Sequence, residues 1–182
     1  MKILVFAGSN SSKSINFEFS KYASTFFDPA EKKIIDLSEL DIPMFGVDFE
    51  EKNGIPEVAQ NFATYISACD LIILSLAEHN GSYTAAFKSL YDWISRIPNR
   101  KVWGGKPMLL LSTSPGARAG AGVMAAALER FPRAGAEIVG NFSLPSFDEN
   151  FNSEFKKLTN ENLLTEFQKI IKDVMSFVKK EN

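Results

Sequence analysis

Short apolar runs alternate along the chain with stretches whose apolar positions recur every three or four residues. Lys2 to Ala7 is apolar after its first residue and stops at Gly8, the pattern of a strand buried on both faces. Beyond a serine-rich loop, Ile15, Phe19, Tyr22 and Phe26 recur at helical spacing. Lys32 to Leu37 predicts a second strand, and Pro56 opens a helix with Val58, Phe62 and Ile66 on one face. Leu71 to Leu76, apolar except for Ser75, gives a third strand. Phe87, Leu90, Ile94 and Ile97 then mark the apolar side of a third helix, which stops at Pro98. The loop Asn99 to Lys106 leads into a fourth strand, Pro107 to Ser112. Ala121 to Arg130 reads as a fourth helix and Glu137 to Leu144 as a fifth strand. Leu164, Phe167, Ile171, Val174 and Val178 form the apolar face of a long terminal helix.

Five strands alternating with five helices predict an α/β protein, because right-handed crossovers place helices on both faces of a parallel sheet. A flavodoxin-like, doubly wound five-stranded sheet of order 2-1-3-4-5 suits this count better than the six-stranded dinucleotide fold, and one unit spans residues 1–182. The longest irregular piece of the first half is the loop Ile42 to Gly54, which reads either as cover for a site or subunit contact or as a solvated excursion.

Composition narrows the function. With 182 residues and a net charge of -2 the chain has no basic field for nucleic acid, and no apolar run reaches the ~18–20 residues of a membrane helix. One Cys and one His supply neither an internal disulfide nor a tetrahedral zinc site. Ile3 to Ala7 is too short for a signal-peptide core, so a reduced, cytoplasmic protein is expected.

In open α/β sheets ligands bind beyond the carboxyl ends of the strands where strand order reverses, which singles out three loops. The first, Gly8 to Asn16, presents hydroxyls and free N–H groups at a helix N-terminus, suited to a phosphate; alternatively Ser12 or Ser14 simply caps the helix. Lys13-Ser14 only approaches a nucleoside-triphosphate loop, which needs a second glycine. The second loop, Ala77 to Tyr83, can offer its peptide edge to a flat heterocycle. There His79 serves in proton transfer, in contact with a cofactor's ring or in a turn hydrogen bond. The backbone of Glu78 is expected to matter more than its side chain, and Ser82 is a candidate cap for the third helix. The third loop, Ser112 to Gly122, combines glycines with Arg118, one fixed positive charge able to meet a nucleotide phosphate; the bland alternative is a flexible helix start. Gly120, Gly122 and Ala125 spell G-x-G-x-x-A, but after the fourth strand instead of the first, and the fifth strand ends without an acidic residue for a ribose.

These three loops together resemble the NADPH-dependent FMN reductases of flavodoxin-like fold, which include azo- and quinone-reducing enzymes. Gly8, Ser9, Ser14 and Asn16 match that family's G-S-x-R-x-x-S-x-N phosphate pattern, with Ser11 at the arginine position and Lys13 nearby. Glu78, Asn80, Gly81 and Ser82 match its P-E-Y-N-G-S segment, with Ala77 for proline and His79 for tyrosine; Lys88, Asp92 and Trp93 match further on. Ser114, Pro115, Gly116 and Arg118 match its S-P-G-G-R segment, with Ala117 at the second glycine. The resemblance implies noncovalent FMN, its phosphate on Ser9, Ser11, Ser14, Ile15 and Asn16. The ring edge would lie on the backbone of Ala77, Glu78, His79, Asn80 and Gly81, and the ring face near His79, Ser114, Pro115, Gly116 and Arg118. It also implies NADPH or NADH as hydride donor and a quinone, azo compound, free flavin or metal chelate as acceptor. The third and fourth helices would build a homodimer or homotetramer. A flavodoxin-type electron carrier is the competing reading, but such carriers are strongly acidic so as to dock on basic partners, and this chain is near neutral. A flavin-free structural descendant is the third.

Overall fold

The computed structural model of the protein describes residues 1–181. In chain order it contains β1 (Lys2–Ala7), α1 (Ile15–Thr25), β2 (Glu31–Ile35), α2 (Val47–Asn53), α3 (Glu57–Ala68), β3 (Leu71–Leu76), β4 (Glu78–His79), β5 (Ser82–Tyr83) and α4 (Ala85–Ser95). Then follow β6 (Lys106–Thr113), α5 (Ala121–Arg133), β7 (Ala136–Leu144), α6 (Phe147–Asn150), β8 (Phe151–Asn152), β9 (Lys157–Leu158) and α7 (Glu161–Glu181).

β2, β1, β3, β6 and β7 lie side by side in that order, every neighbouring pair parallel. Renumbered within the sheet this is the expected 2-1-3-4-5. The central strands are apolar at successive positions because each faces a covered layer on either side. Leu4, Phe6, Ile72, Leu74 and Leu110 pack into one core with α3, α4 and α5 residues. Ile3, Val5, Ile73, Leu109 and Leu111 pack into the other with α1 and α7 residues. Aromatic rings fill both layers: Trp103 and Phe131 meet at 4.9 Å in the first, Phe19 and Phe167 at 5.6 Å in the second.

β1 and β3 occupy the expected residues, whereas β2 ends at Ile35, where Asp36 caps a 3-10 turn over Leu37–Glu39 by accepting from Ser38 N–H at 2.9 Å. Seven helices replace the expected five among the described residues. α2 lies inside the segment Ile42 to Gly54 that reads as irregular; none of its residues is buried, so it carries no apolar stripe to betray it. It is tied down from outside instead. Trp93 Nε1 donates to the Pro43 carbonyl at 2.8 Å, Phe45 and Phe49 set their edges against the Trp93 ring, and Arg96 Nε reaches both oxygens of Glu50. α6 and the two hairpins, β4–β5 and β8–β9, are too short to show a period.

If the aromatic layer under α1 carries the stability of that face, Phe19→Ala should lower the unfolding free energy by about 3–5 kcal/mol in urea titration. Phe155→Ala, at a side chain left 65% exposed, should change it by less than ~0.5 kcal/mol.

Candidate functional site

The chain leaves β1 toward β2 and returns through β3 on the other side, so the loops following β1 and β3 part and open a crevice at the carboxyl end of the sheet. Polar groups gather there. Of nine buried polar residues, Ser9, Asn16, Ser75, Thr84, Ser112 and Thr113 all lie at this end. Their centre is Asn16, in the first turn of α1 and only 3% exposed. Its Oδ1 accepts from Ser75 Oγ at 2.8 Å and from Thr113 N–H at 3.0 Å, and its Nδ2 donates to the Thr113 carbonyl at 3.0 Å. One amide therefore ties α1 to the ends of β3 and β6. Gly8 N–H donates to the Ser75 carbonyl at 2.8 Å, and Thr84 Oγ1 donates to the Gly8 carbonyl at 2.9 Å. A Cβ at Gly8 would stand 3.0 Å from Leu76 Cδ2 and 3.3 Å from Phe87 Cγ, so a side chain there would crowd this approach of β1 to β3 and α4.

In the first loop Ser14 caps α1, accepting from Phe17 N–H at 3.1 Å. Ser9 Oγ accepts from Ser11 N–H, and Ser11 Oγ from Lys13 N–H, which curls the loop around its own hydroxyls. The N–H groups of Ser12, Ile15 and Asn16 find no partner among the described residues and lie at the positive end of the helix dipole. Beside this turn opens a cavity of about 530 Å³ lined by Lys13, Lys21, Lys32 and Lys156 and by one carboxylate, Glu18, with Lys32 also ion-paired to Asp28. Free donors, hydroxyls and ammonium groups make a donor set suited to a phosphate.

The second loop is a two-residue hairpin. Asn80 and Gly81 take φ of 52° and 77°, and His79 pairs with Ser82 across it, as a type I′ turn requires. Ala77 and Glu78 are half-buried; His79, Asn80 and Gly81 are exposed, so their peptide edge is open to a planar ligand. Thr84, and not the expected Ser82, caps α4 by accepting from Phe87 N–H at 3.2 Å, because the hairpin uses Ser82 as a strand residue. The Glu78 side chain also has a task that the residue pattern did not foretell: its Oε2 accepts from Val123 N–H, in the first turn of α5, at 2.7 Å. Tyr83, at the hairpin's base, has its phenol pushed up to about 12 by burial and by neighbouring Tyr91, against the pull of Arg130. It keeps its proton at neutral pH and can act only as a neutral group.

The third loop is braced from the segment after β7. Phe147 N–H donates to the Ser114 carbonyl at 3.0 Å, Ser146 N–H to the Gly116 carbonyl at 3.1 Å, and Ser114 Oγ to the same Gly116 carbonyl at 2.9 Å. Pro115, Gly116 and Arg118 are exposed, and Arg118 enters no ion pair among the described residues. Ser112 Oγ donates to the Ala119 carbonyl at 2.7 Å, turning the chain into Gly120, whose φ of 76° starts α5. The loops that follow β1, β3 and β6 thus lie together at the carboxyl end of the sheet, the first bound through Asn16 to Ser75 and Thr113 and the second through Glu78 to Val123 at the start of α5. The bonding roles of Ser75, Ser112 and Thr113 were not foreseen, their only signal being a hydroxyl residue in an otherwise apolar strand, and Thr84, which follows the hairpin, carried no such signal. No cluster of three or more His, Cys, Asp or Glu suited to a metal occurs among the described residues, and no helix there is long and apolar enough to cross a membrane.

Residues 1–150 match the family described as NADPH-dependent FMN reductase. The quinone reductase of Escherichia coli (strain K12) is 31% identical over 94 residues, 51% of this chain and 50% of that protein. The 2-hydroxy-1,4-benzoquinone reductase of a Burkholderia species is 31% identical over 117 residues, 64% of this chain and 62% of that protein. The chain thus spans about half the length of the curated quinone reductases it matches. Among solved structures, the flavoenzyme NAD(P)H:(acceptor) oxidoreductase FerB from Paracoccus denitrificans superposes with a TM-score of 0.78 at 22% identity. It covers 98% of this chain and 97% of its own. The azoreductase of Bacillus anthracis str. Sterne reaches 0.65 at 14% identity, covering 96% and 98%. At such identities these two likenesses bear on the fold.

Replacing Asn16 by Ala should strand the Ser75 hydroxyl and both peptide groups of Thr113, costing about 2–4 kcal/mol of stability. The measurement is the urea midpoint at unchanged m; a loss under ~0.5 kcal/mol would show that this amide does not hold the crevice together.

Proposed function

We propose that this chain, which belongs to the NADPH-dependent FMN reductase family, is an NAD(P)H-dependent FMN oxidoreductase that reduces a small acceptor of the quinone class. Azo compounds, free flavin and metal chelates are the other acceptors its crevice could admit. The observation that carries the reading is the meeting of free phosphate donors at the start of α1 with an open peptide edge at Ala77 to Gly81, at the switch point of the sheet. Bound FMN supplies the acceptance of a hydride and its return as two electrons, so the protein has to bind, orient and exclude water. The overall change balances as NAD(P)H, a proton and a quinone giving NAD(P)⁺ and a hydroquinone, with the proton drawn from solvent.

In this reading the hydroxyls of Ser9, Ser11 and Ser14 and the free N–H groups of Ile15 and Asn16 hold the phosphate. Asn16 gives its peptide group there, since its amide is engaged with Ser75 and Thr113. The missing arginine at Ser11 is offset by the ammonium groups of the neighbouring cavity. The peptide edge from Ala77 to Gly81 orients the ring, and the exposed His79 ring lies against its face and keeps water away. Ser114, Pro115 and Gly116 form the opposite lip, and the unpaired Arg118 guanidinium meets a phosphate of the nicotinamide nucleotide. The quinone reductases among the relatives support a quinone as acceptor. We further propose that the single unit of residues 1–182 works in the cytoplasm as a homodimer or homotetramer built through α4 and α5.

Purified protein incubated with FMN and then freed of excess flavin by gel filtration should stay yellow, and its visible flavin absorption should bleach when NADPH or NADH is added without oxygen. Yellow protein that neither nucleotide bleaches would point instead to an electron carrier. Arg118→Ala should raise KM for the nicotinamide nucleotide about tenfold while leaving FMN affinity within about twofold, the size of one lost charge-assisted contact. An unchanged KM would remove Arg118 from the site.

A further inference from the structure

The G-x-G-x-x-A stretch that opens α5 binds an anion supplied by the protein itself. The capping position is Gly120, held at φ 76°, and it has no side chain to accept the first-turn N–H groups. That acceptor comes instead from a residue 45 positions earlier: Glu78 Oε2 sits 2.7 Å from Val123 N, the third helical N–H, which an N-cap side chain ordinarily takes. Gly122 makes the approach possible. A Cβ there would stand 2.8 Å from Glu78 Oε2 and 3.1 Å from the Gly81 carbonyl, so a side chain would displace the carboxylate from its place at the helix start and crowd the hairpin turn. A carboxylate at the positive end of a 13-residue helix is favoured by the dipole as well as by the hydrogen bond.

From this geometry we infer that Glu78 is a positioning residue: by capping α5 it fixes the β4–β5 hairpin, and with it the peptide edge of His79, Asn80 and Gly81 that faces the crevice. The inference deepens the flavin reading above and rests on it for the ligand. The hairpin has only two paired residues in each strand and a two-residue turn, too little to hold its own orientation in water. Its hydrogen-bond anchors lie at its two ends, Thr84 to the Gly8 carbonyl on one side and Glu78 to α5 on the other, while Tyr83 packs β5 against Phe131 and Phe87 and leaves the turn itself dependent on Glu78. Losing the second frees the lip while leaving the sheet and the phosphate turn of α1 intact.

Three variants test this: Glu78→Ala, Glu78→Gln, which keeps an acceptor oxygen without the charge, and Gly122→Ala, which keeps Glu78 and denies it room. Hydrogen exchange on the flavin-free proteins is read at Val123 and at residues 79–83, with residues 3–6 of β1 as the reference for global stability. Glu78→Ala and Gly122→Ala should each speed exchange at Val123 and in the hairpin about tenfold or more, with β1 unchanged, and Glu78→Gln should restore most of the protection. In parallel, FMN affinity should weaken about tenfold in the first two variants, with a shifted visible band for whatever flavin binds, and recover largely in Glu78→Gln. Hairpin exchange that stays at the wild-type rate in Glu78→Ala overturns the inference. So does a looser hairpin with FMN affinity and flavin spectrum unchanged, since Glu78 would then serve the fold alone. Should the wild-type protein take up no FMN, the flavin reading falls, and exchange on the flavin-free variants still decides whether Glu78 sets the hairpin.

Discussion

A buried amide holds the functional end of this molecule together. Three strands that approach the same edge of a sheet do not by themselves form a site, because the loops that follow them leave in different directions. Asn16 spans that divergence. It is placed by α1, its oxygen takes two donors and its nitrogen reaches one acceptor, so the helix that follows β1 is locked to the ends of β3 and β6. At 3% exposure, each of these bonds is made away from water, where an unpaired partner would be costly. The lock also sets the phase of α1, and therefore where the free N–H groups of Ser12, Ile15 and Asn16 face.

The N-termini of α1 and α5 lie at this end of the sheet, and the protein treats them oppositely. α1 has a capping Ser14 that satisfies one donor and leaves others open beside four lysines. α5 has a glycine cap and receives a carboxylate from the neighbouring loop. The positive end of α5 is thereby compensated from within, whereas the first turn of α1 keeps N–H groups without a partner among the described residues. This asymmetry suits a ligand with one terminal phosphate and a flat body extending away from it. Arg118, on the third loop, is a separate, exposed positive charge with no ion-pair partner among the described residues.

The layered fold was legible because its signals are periodic. β1 and β3 are runs apolar on both faces, and the long helices carry stripes such as Phe87, Leu90 and Ile94. The three loops were legible from their order behind the strands and from residue types that match a known family. What stayed hidden depends on contacts between distant segments. α2 has no buried residue and is fixed by Trp93 and Arg96, more than forty positions away. Thr84 displaced Ser82 as the cap of α4 because the hairpin draws Ser82 into pairing, which no local pattern encodes. The Glu78 carboxylate was passed over for the same reason: its acceptor role exists only once α5 is folded beside it.

The departures of this chain from the family pattern can be weighed against that geometry. Ala77 stands where a proline would stiffen the second loop, yet the loop's path is already fixed by left-handed Asn80 and Gly81 within the turn and by hydrogen bonds at both ends of the hairpin. His79 changes the ring presented at the rim while its peptide group keeps the same place in the β4–β5 ladder. Ala117 sits in a loop whose carbonyls at Ser114 and Gly116 are pinned from the segment after β7. In all three cases the substituted side chain lies outside the hydrogen bonds that shape the crevice. Ser11 stands where the family pattern has a charged residue, and it does so beside a lysine-lined cavity. The backbone frame can therefore be retained while side chains at the rim vary, so the shape of this end of the sheet does not depend on the residues by which the chain departs from the family pattern.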